Sequence, residues 1–307
     1  MPRLALSRSV LDRADHLRSD DAAILRFWRD PNARVFALSG DAGVVALTDH
    51  AVSLVWYAPT DPAAAALPSN VFFLGFHDSI PYFGRADSPP PTFEAGPTYR
   101  TLREVGMSLT GLEAEVFTTT LSLANWHATH PHCSRCGQRT EVVRAGWVRR
   151  CPKDGSEHYP RTDPAVIMLV TDPQDRALLG RRAVWEPQWF STLAGFVEPG
   201  ESAESAVVRE VSEEAGVAVD PSSVQALGSQ PWPFPSSIML GFRASCMGSD
   251  DPVTDDEEIV EARWFSREEL AAACASGEVA VPPHISIARH LIEDWFGSEL
   301  PGSWSRP

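Results

Sequence analysis

Residues 195–217 read G-F-V-E-P-G-E-S-A-E-S-A-V-V-R-E-V-S-E-E-A-G-V. Pro199-Gly200 is a turn dipeptide, Ser202 a suitable N-cap, Glu204 adds negative charge to a first turn, and Gly216 is a stop. The spacing predicts a helix over 203–215. At about 100° per residue, Ala203, Val207, Val211 and Ala215 form one apolar stripe facing a core, and Glu210 and Glu214 border it about 40° apart. Like charges four residues apart cost a helix roughly 0.2–0.5 kcal/mol, more where water is withdrawn. Arg209 reaches Glu213 at i+4 and points away from Glu210 and Glu214, which leaves those two without an evident side-chain partner. A divalent cation is the simplest counter-charge. A small set of hard oxygen ligands with room for water and phosphate oxygens suits Mg²⁺ or Mn²⁺. A solvated surface helix would account for the charges of 209–214, but not for Gly195, Glu201 and Gly216 as well.

The spacing G-x5-E-x7-R-E-U-x-E-E-x-G-U, with U apolar, fixes nine positions over residues 195–217, and it resembles the Nudix box without a departure. Resemblance to Nudix hydrolases implies cleavage of a nucleoside diphosphate linked to another moiety. Water attacks one phosphorus of a pyrophosphate while metal ions hold the phosphate oxygens. The expected metal ligands are Glu210 and Glu214, with Glu213 close enough to assist or to orient water. The resemblance adds the backbone carbonyl of Ala194.

Downstream, residues 229–237 read S-Q-P-W-P-F-P-S-S. Pro231, Pro233 and Pro235 remove three donors and favour an extended, polyproline-like backbone, so a stiff loop outside any helix or strand is expected. Trp232 and Phe234 then form part of a wall for a flat ring, or cap the core from a rigid connector. The run S-Q-P-W-P-F-P at this interval after the box looks like the NADH pyrophosphatase (NudC-like) family. That resemblance implies cleavage of NADH to reduced nicotinamide mononucleotide plus AMP and, in bacterial members, removal of NAD caps from the 5′ end of RNA. It implies substrate contacts from Gln230, Pro231, Trp232, Pro233, Phe234, Pro235, Ser236 and Ser237, and from Tyr159 in the run E-H-Y-P-R. Phe196 would stack on the nicotinamide, and Ala288, in I-S-I-A-R, would be a further contact. Glu258, in E-E-I-V-E-A-R-W, matches the family's acidic metal ligand outside the box. The plainer alternatives are packing for Phe196 and Ala288 and a solvated carboxylate for Glu258. The family also implies a homodimer in which Tyr159 and Phe196 complete the pocket from different subunits.

Two other readings compete. One is a broader hydrolase of ADP-ribose and other dinucleotides, against which the proline-aromatic loop argues. The other is a catalytically silent Nudix domain serving as a nucleotide sensor or RNA-binding module, which has no need of uncompensated carboxylates.

Cys133, Cys136 and Cys151 are spaced C-x2-C-x14-C, the pattern of a zinc ribbon rather than of a disulfide framework. Asp154 stands where the fourth cysteine belongs. Zinc accepts an aspartate oxygen, so Cys133, Cys136, Cys151 and Asp154 are expected to close a tetrahedron. His130, His132 and His158 are alternative ligands, and an empty ribbon held by packing is a third outcome. Bound structural zinc is favoured, because three thiols in an exposed knuckle would otherwise be open to oxidation. Cys246 and Cys274 read as small core residues.

The chain has 307 residues, 43% of them hydrophobic, enough for two ordinary domains and a small module. Its longest strongly apolar run, 166–170, is far too short to span a membrane. No signal-type opening precedes it, and W-S-R-P at the end is no peroxisomal address. With zinc-type cysteine spacing, a reducing cytoplasm is expected. A net charge of −15 argues against broad affinity for phosphate backbones, so an RNA substrate would be recognised at its capped end, with Arg149, Arg150 and Arg161 as a local basic patch.

The expected fold class is α+β: a β-rich N-terminal scaffold and dimerisation domain over 1–127, a central zinc-ribbon-like module over 128–161, a Nudix domain over 162–298 with a mixed β-sheet sandwiched between helices, and a tail over 299–307. Strands are expected at 35–38, 44–47, 52–57 and 71–76, with a helix near 20–29 and a proline linker over 86–97. Thr110 and Glu113 form a capping box for a helix carrying Leu112, Val116, Phe117, Leu121 and Ala124. From residue 163 on, strands are expected at 165–171, 177–181, 224–227, 238–244 and 260–265, and helices, besides that of the box, at 267–276 and 284–296.

Overall fold

In a computed structural model, residues 4–48, 51–59, 65–86, 98–248, 251–254 and 258–304 are described. The proline linker lies beyond Ala86 outside the described residues, as do Glu257 and residues 305–307. Two compact units divide the chain: Ala5–Thr162 with Trp232–Ser236, and Met1–Leu4 with Asp163–Pro231 and Ser237–Pro307.

The first unit opens on α1 (Asp21–Trp28), whose N-cap Asp20 accepts a hydrogen bond from the Ala23 amide. Strands β1 (Arg34–Ser39), β2 (Ala42–Leu47), β3 (Val52–Leu54), β4 (Val71–His77), β5 (Ile80–Arg85) and β6 (Thr98–Thr101) follow. Their order is β3-β2-β1-β5-β4, with β6 paired to β2. The strand expected over 52–57 stops at Leu54, and Tyr57 makes only an isolated bridge to Val35. β5 is an addition to the expectation, because Pro81 and Gly84 are poor strand formers. A Cβ at Gly84 would lie 2.4 Å from Thr120 Oγ1, so the strand carries glycine where a helix presses closest.

That helix is α3 (Gly111–Thr129), preceded by the short α2 (Leu102–Val105). The Thr110–Glu113 capping box forms. The apolar stripe is only part of what α3 buries, since Glu113 and Glu115 are buried too. Glu113 accepts from Leu54 N (2.8 Å), and Glu115 accepts from Ser9 Oγ, Val10 N and Leu11 N (2.7, 2.6 and 2.8 Å). These carboxylates bind strand and N-terminal backbone to the helix, which is why they tolerate burial. The ribbon closes the unit with β7 (Glu141–Val143), β8 (Val148–Arg150) and β9 (Glu157–His158) in antiparallel order.

The second unit contains β10 (Asp163–Thr171), β11 (Ala177–Arg182), β12 (Leu193–Phe196), α4 (Ala203–Ala215), β13 (Gln225–Trp232), β14 (Ser237–Ser245), β15 (Ile259–Phe265), α5 (Arg267–Ser276) and α6 (Ile287–Phe296). The sheet order is β13-β14-β10-β11-β15, with β12 paired to β10. β10 and β14 run parallel while β11 and β15 are antiparallel, so the sheet is mixed. Alternation along β10 splits the core: Val166, Met168 and Val170 pack with Val207 and Val211 of α4, while Ile167 and Leu169 pack with Leu270, Leu291 and Ile292 of α5 and α6. Helices therefore cover both faces. Cys246 and Cys274 sit in these two cores. Of the tail, Leu300 is buried in the α5–α6 core.

The residues 229–232 are strand, which corrects the expectation of an irregular segment. β13 lies at the edge of the sheet, the place where a strand tolerates proline, and only 233–236 turn. The last helix starts at Ile287 rather than at 284, capped by Ser286. Among the described residues, no helix is long and apolar enough to cross a membrane.

Candidate metal centre

α4 spans 203–215 as its caps dictate: Ser202 Oγ accepts from Ser205 N (3.1 Å), and Gly216 closes the helix at φ 64°. The stripe Val207, Val211 and Ala215 is fully buried. Anchoring that stripe draws Glu214 inward until it is 7% exposed, leaves Glu210 half-buried and leaves Glu213 in solvent.

Gly195 of β12 makes room for Glu210. A Cβ at Gly195 would stand 1.9 Å from Glu210 Cδ and 2.0 and 2.1 Å from its two oxygens. The glycine is thus a seat for a carboxylate.

Arg209 corrects the expectation that Glu210 lacks a partner. Its Nη1 lies 2.9 Å from Glu210 Oε1 and 2.9 Å from Glu213 Oε2, its Nη2 donates to Glu201 Oε1 (2.6 Å) and Phe196 O (2.9 Å), and its Nε to Glu201 Oε2 (3.2 Å). The Cα directions diverge on the helix, but a long arginine arm curls back over its neighbour. Glu201, the residue just before the N-cap Ser202, is held two-pronged by Nε and Nη2 along one edge of the same guanidinium.

Glu214 keeps the deficit. Its Oε2 is buried with no hydrogen-bond partner. Burial first, then the charges of Glu210 and Glu258, push its carboxyl up to about 8, against the opposing pull of the Ala194 backbone and Arg182. Burial also raises Glu210, against the pull of Arg209. Glu258 is exposed and paired with Arg182, Nη2 to Oε1 2.7 Å. A hard divalent cation fits this donor set: it would satisfy the orphan oxygen and the mutual repulsion of the carboxylates together.

A pH signature follows from the raised carboxyl. The folded protein holds the Glu214 proton more tightly than the unfolded chain, so this group's stabilisation is complete below the ordinary carboxylate range and is lost as pH rises through about 8. The metal-free protein should show a lower Tm at pH 8.5 than at pH 6, Mg²⁺ should raise Tm more at pH 8.5, and Glu214→Gln should flatten both trends. Equal Mg²⁺ shifts at the two pH values would exclude Glu214 as a ligand.

In the ribbon, Cys133, Cys136, Cys151 and Asp154 bring one ligand atom each within 4.8 Å of one another, the one such cluster among the described residues. Asp154 Oδ1 accepts from Ser156 N (2.9 Å) and Ser156 Oγ (2.6 Å), which leaves Oδ2 facing Cys133 Sγ at 3.7 Å. A hydrogen bond with Ser156 leads in lowering Cys133 to about 6, and burial leads in raising Cys151 to about 11. Three sulfurs and one oxygen in this spacing suit zinc. His158 stays outside the cluster, its Nε2 3.3 Å from Ser156 Oγ.

Arg149 is not part of a basic surface patch. It is buried and donates to Thr140 Oγ1 (2.7 Å) and Thr140 O (3.0 Å), with Nη1 2.9 Å from His127 Nδ1. His127 in turn has Nε2 2.8 Å from Gly146 O and stacks on Phe72, and its burial lowers it to about 4, so it stays neutral. Arg150 is paired with Glu157 at 2.8 Å.

The remaining expected contacts fall in both units. In the first, Tyr159 is exposed and donates to Glu157 Oε2 (3.0 Å). Trp232 and Phe234 meet edge-to-face at 5.0 Å, Arg103 covers both rings at 5.2 and 3.8 Å, and Asn125 Nδ2 donates to Pro233 O and Pro235 O (3.1 and 3.0 Å). Arg103 and Asn125 carry no sequence signal of this role. In the second unit, Phe196 is exposed on β12 and Ser237 opens β14. Gln230 is fully buried, its amide spent on Ile285 O (2.9 Å) and Ile287 N (2.8 Å), so it anchors the start of α6 instead of reaching outward. Ala288, in the first turn of α6, is buried in the core that α5 and α6 share.

Comparison with known proteins matches the NUDIX domain over residues 161–283 and the NADH pyrophosphatase zinc ribbon domain over residues 128–159. The NAD-capped RNA hydrolase NudC of Mycobacterium bovis (strain BCG / Pasteur 1173P2) is 38% identical over 305 residues, covering 96% of this chain and 95% of the relative. The NudC of Mycobacterium tuberculosis (strain ATCC 25618 / H37Rv) gives the same figures, 38% over 305 residues, 96% and 95%. The Homo sapiens NAD-capped RNA hydrolase NUDT12 is 41% identical over 196 residues, 60% of this chain and 42% of the relative.

Proposed function

Because this chain belongs to the NADH pyrophosphatase (NudC) family of Nudix hydrolases, we propose that it hydrolyses the pyrophosphate bond of NADH and NAD⁺ to nicotinamide mononucleotide plus AMP. The same cleavage removes NAD caps from the 5′ end of RNA. The observation that carries the proposal is the buried, partnerless oxygen of Glu214 beside Glu210 on its glycine seat.

Glu210, Glu214, Glu258 and the Ala194 carbonyl are the residues that would hold Mg²⁺ or Mn²⁺. When bound, such ions neutralise the pyrophosphate oxygens and acidify a water. Arg209 holds Glu210 and Glu213 in place, and Glu213, in solvent, orients the attacking water. Phe196 offers an exposed face to the nicotinamide. Trp232 and Phe234, with Tyr159, supply further ring contacts. A zinc ion on Cys133, Cys136, Cys151 and Asp154 holds the ribbon together. We place the protein as a cytoplasmic homodimer in which Tyr159 and Phe196 of different subunits share a pocket.

The test offers purified protein with Mg²⁺ or Mn²⁺ a panel of NADH, NAD⁺, ADP-ribose, diadenosine polyphosphates and NAD-capped RNA, and resolves products by mass. The proposal expects NADH and NAD-capped RNA to be cleaved with the highest kcat/KM. ADP-ribose cleaved as well as NADH would return the broader dinucleotide hydrolase.

A further inference from the structure

Arg182, the last residue of β11, is absorbed by none of the roles above. β11 and β15 pair in register through Arg181↔Glu261, and the register then shifts so that Arg182 pairs with Ile259. The irregularity brings Arg182 beside Glu258, which directly precedes β15, at 2.7 Å. Glu258 is its one ion-pair partner among the described residues, and both side chains are about half exposed.

The other arginine of the cluster is already committed. Arg209 serves Glu201, Glu210, Glu213 and the Phe196 carbonyl. A guanidinium carries five donors in a planar fork that matches phosphate as well as carboxylate, and the contact to Glu258 uses little of it. Glu210, Glu214 and Glu258 do not converge as the ribbon ligands do, and the outer two are each held by an arginine.

We infer that Arg182 is a substrate-binding residue that exchanges partners: it neutralises Glu258 in the metal-free protein and clamps the pyrophosphate when a divalent cation takes Glu258. The inference rests on the pyrophosphatase reading for its ligand. It separates from a merely structural role by sign. A cation that occupies Glu258 competes with the metal, so removing it strengthens metal binding; a residue that props Glu258 in place weakens metal binding when removed.

The experiment uses the full-length chain with Arg182→Gln and Arg182→Lys. Free Mn²⁺ is followed by electron paramagnetic resonance, and inorganic pyrophosphate binding to the Mn²⁺-loaded protein by calorimetry, alongside KM for NADH. Arg182→Gln should bind Mn²⁺ about threefold or more tighter and pyrophosphate at least about tenfold weaker, with KM raised by a similar factor. Arg182→Lys, which keeps the charge and loses the fork, should keep Mn²⁺ affinity near wild type and still weaken pyrophosphate. Looser Mn²⁺ binding or unchanged pyrophosphate binding in Arg182→Gln would overturn the inference. A wild-type protein that binds pyrophosphate through Arg182 but leaves NADH intact would overturn only the substrate assignment.

Discussion

Glu214→Gln should lower kcat for NADH at least about 100-fold, the scale of removing a positioned charge-stabilising group. The same variant should melt at a higher temperature than wild type in metal-free buffer at pH 8.5. Both effects have one cause. The Glu214 carboxylate is drawn into the core edge by the Val207, Val211 and Ala215 stripe, its Oε2 has no partner, and two further carboxylates press on it. Ionisation is therefore costly until a cation arrives, and a neutral amide of equal shape removes that cost together with the metal ligand. A variant that had simply misfolded would lose activity and Tm together, so the opposed pair of results is diagnostic. Circular-dichroism melts and steady-state kinetics suffice, and turnover close to wild type would remove Glu214 from the mechanism.

Gly195→Ala should be nearly as damaging although it adds a single methyl group. The added carbon would lie 1.9 Å from Glu210 Cδ, and β12 cannot retreat, because Gly195 is paired with Val166 of β10. Glu210 must swing away and give up its contact with Arg209. Misplacement of a catalytic group by about 1 Å costs about 100-fold, so kcat/KM for NADH should fall by about that factor. Mn²⁺ affinity should fall with it, while the far-ultraviolet circular dichroism stays that of wild type. Unaltered Mn²⁺ binding would mean that Glu210 is not seated by the glycine.

What was legible in the sequence was what is local. Ser202 and Gly216 cap α4 at both ends, so its limits could be read to the residue. The ribbon ligands are contained within 133–154, and short-range spacing is enough to bring them together. β12 was missed because Leu193–Phe196 has neither length nor alternation; its pairing with β10 makes it a strand. Pro231 reads as a breaker in the sequence because its tolerance depends on β13 being an edge strand, a property of the whole sheet. Helical angles located the Cα of Arg209 but not the end of its side chain, hence the missed ion pair with Glu210. Gln230 and Arg149 read as exposed contacts, yet their partners at 285–287 and at Thr140 and His127 bury them. Arg182 carried no signal, since its place beside Glu258 depends on a register shift between two strands far apart in sequence.

The central claim is that the α4 carboxylates form a divalent-metal centre that cleaves a dinucleotide pyrophosphate. Its most direct test is mass-resolved hydrolysis of NADH by wild type and Glu214→Gln, each with and without Mg²⁺. The account predicts reduced nicotinamide mononucleotide and AMP in equal amounts from wild type with Mg²⁺, and almost none from the variant or after metal removal. NADH left intact by the metal-loaded wild type, or cleaved equally well by Glu214→Gln, would contradict it.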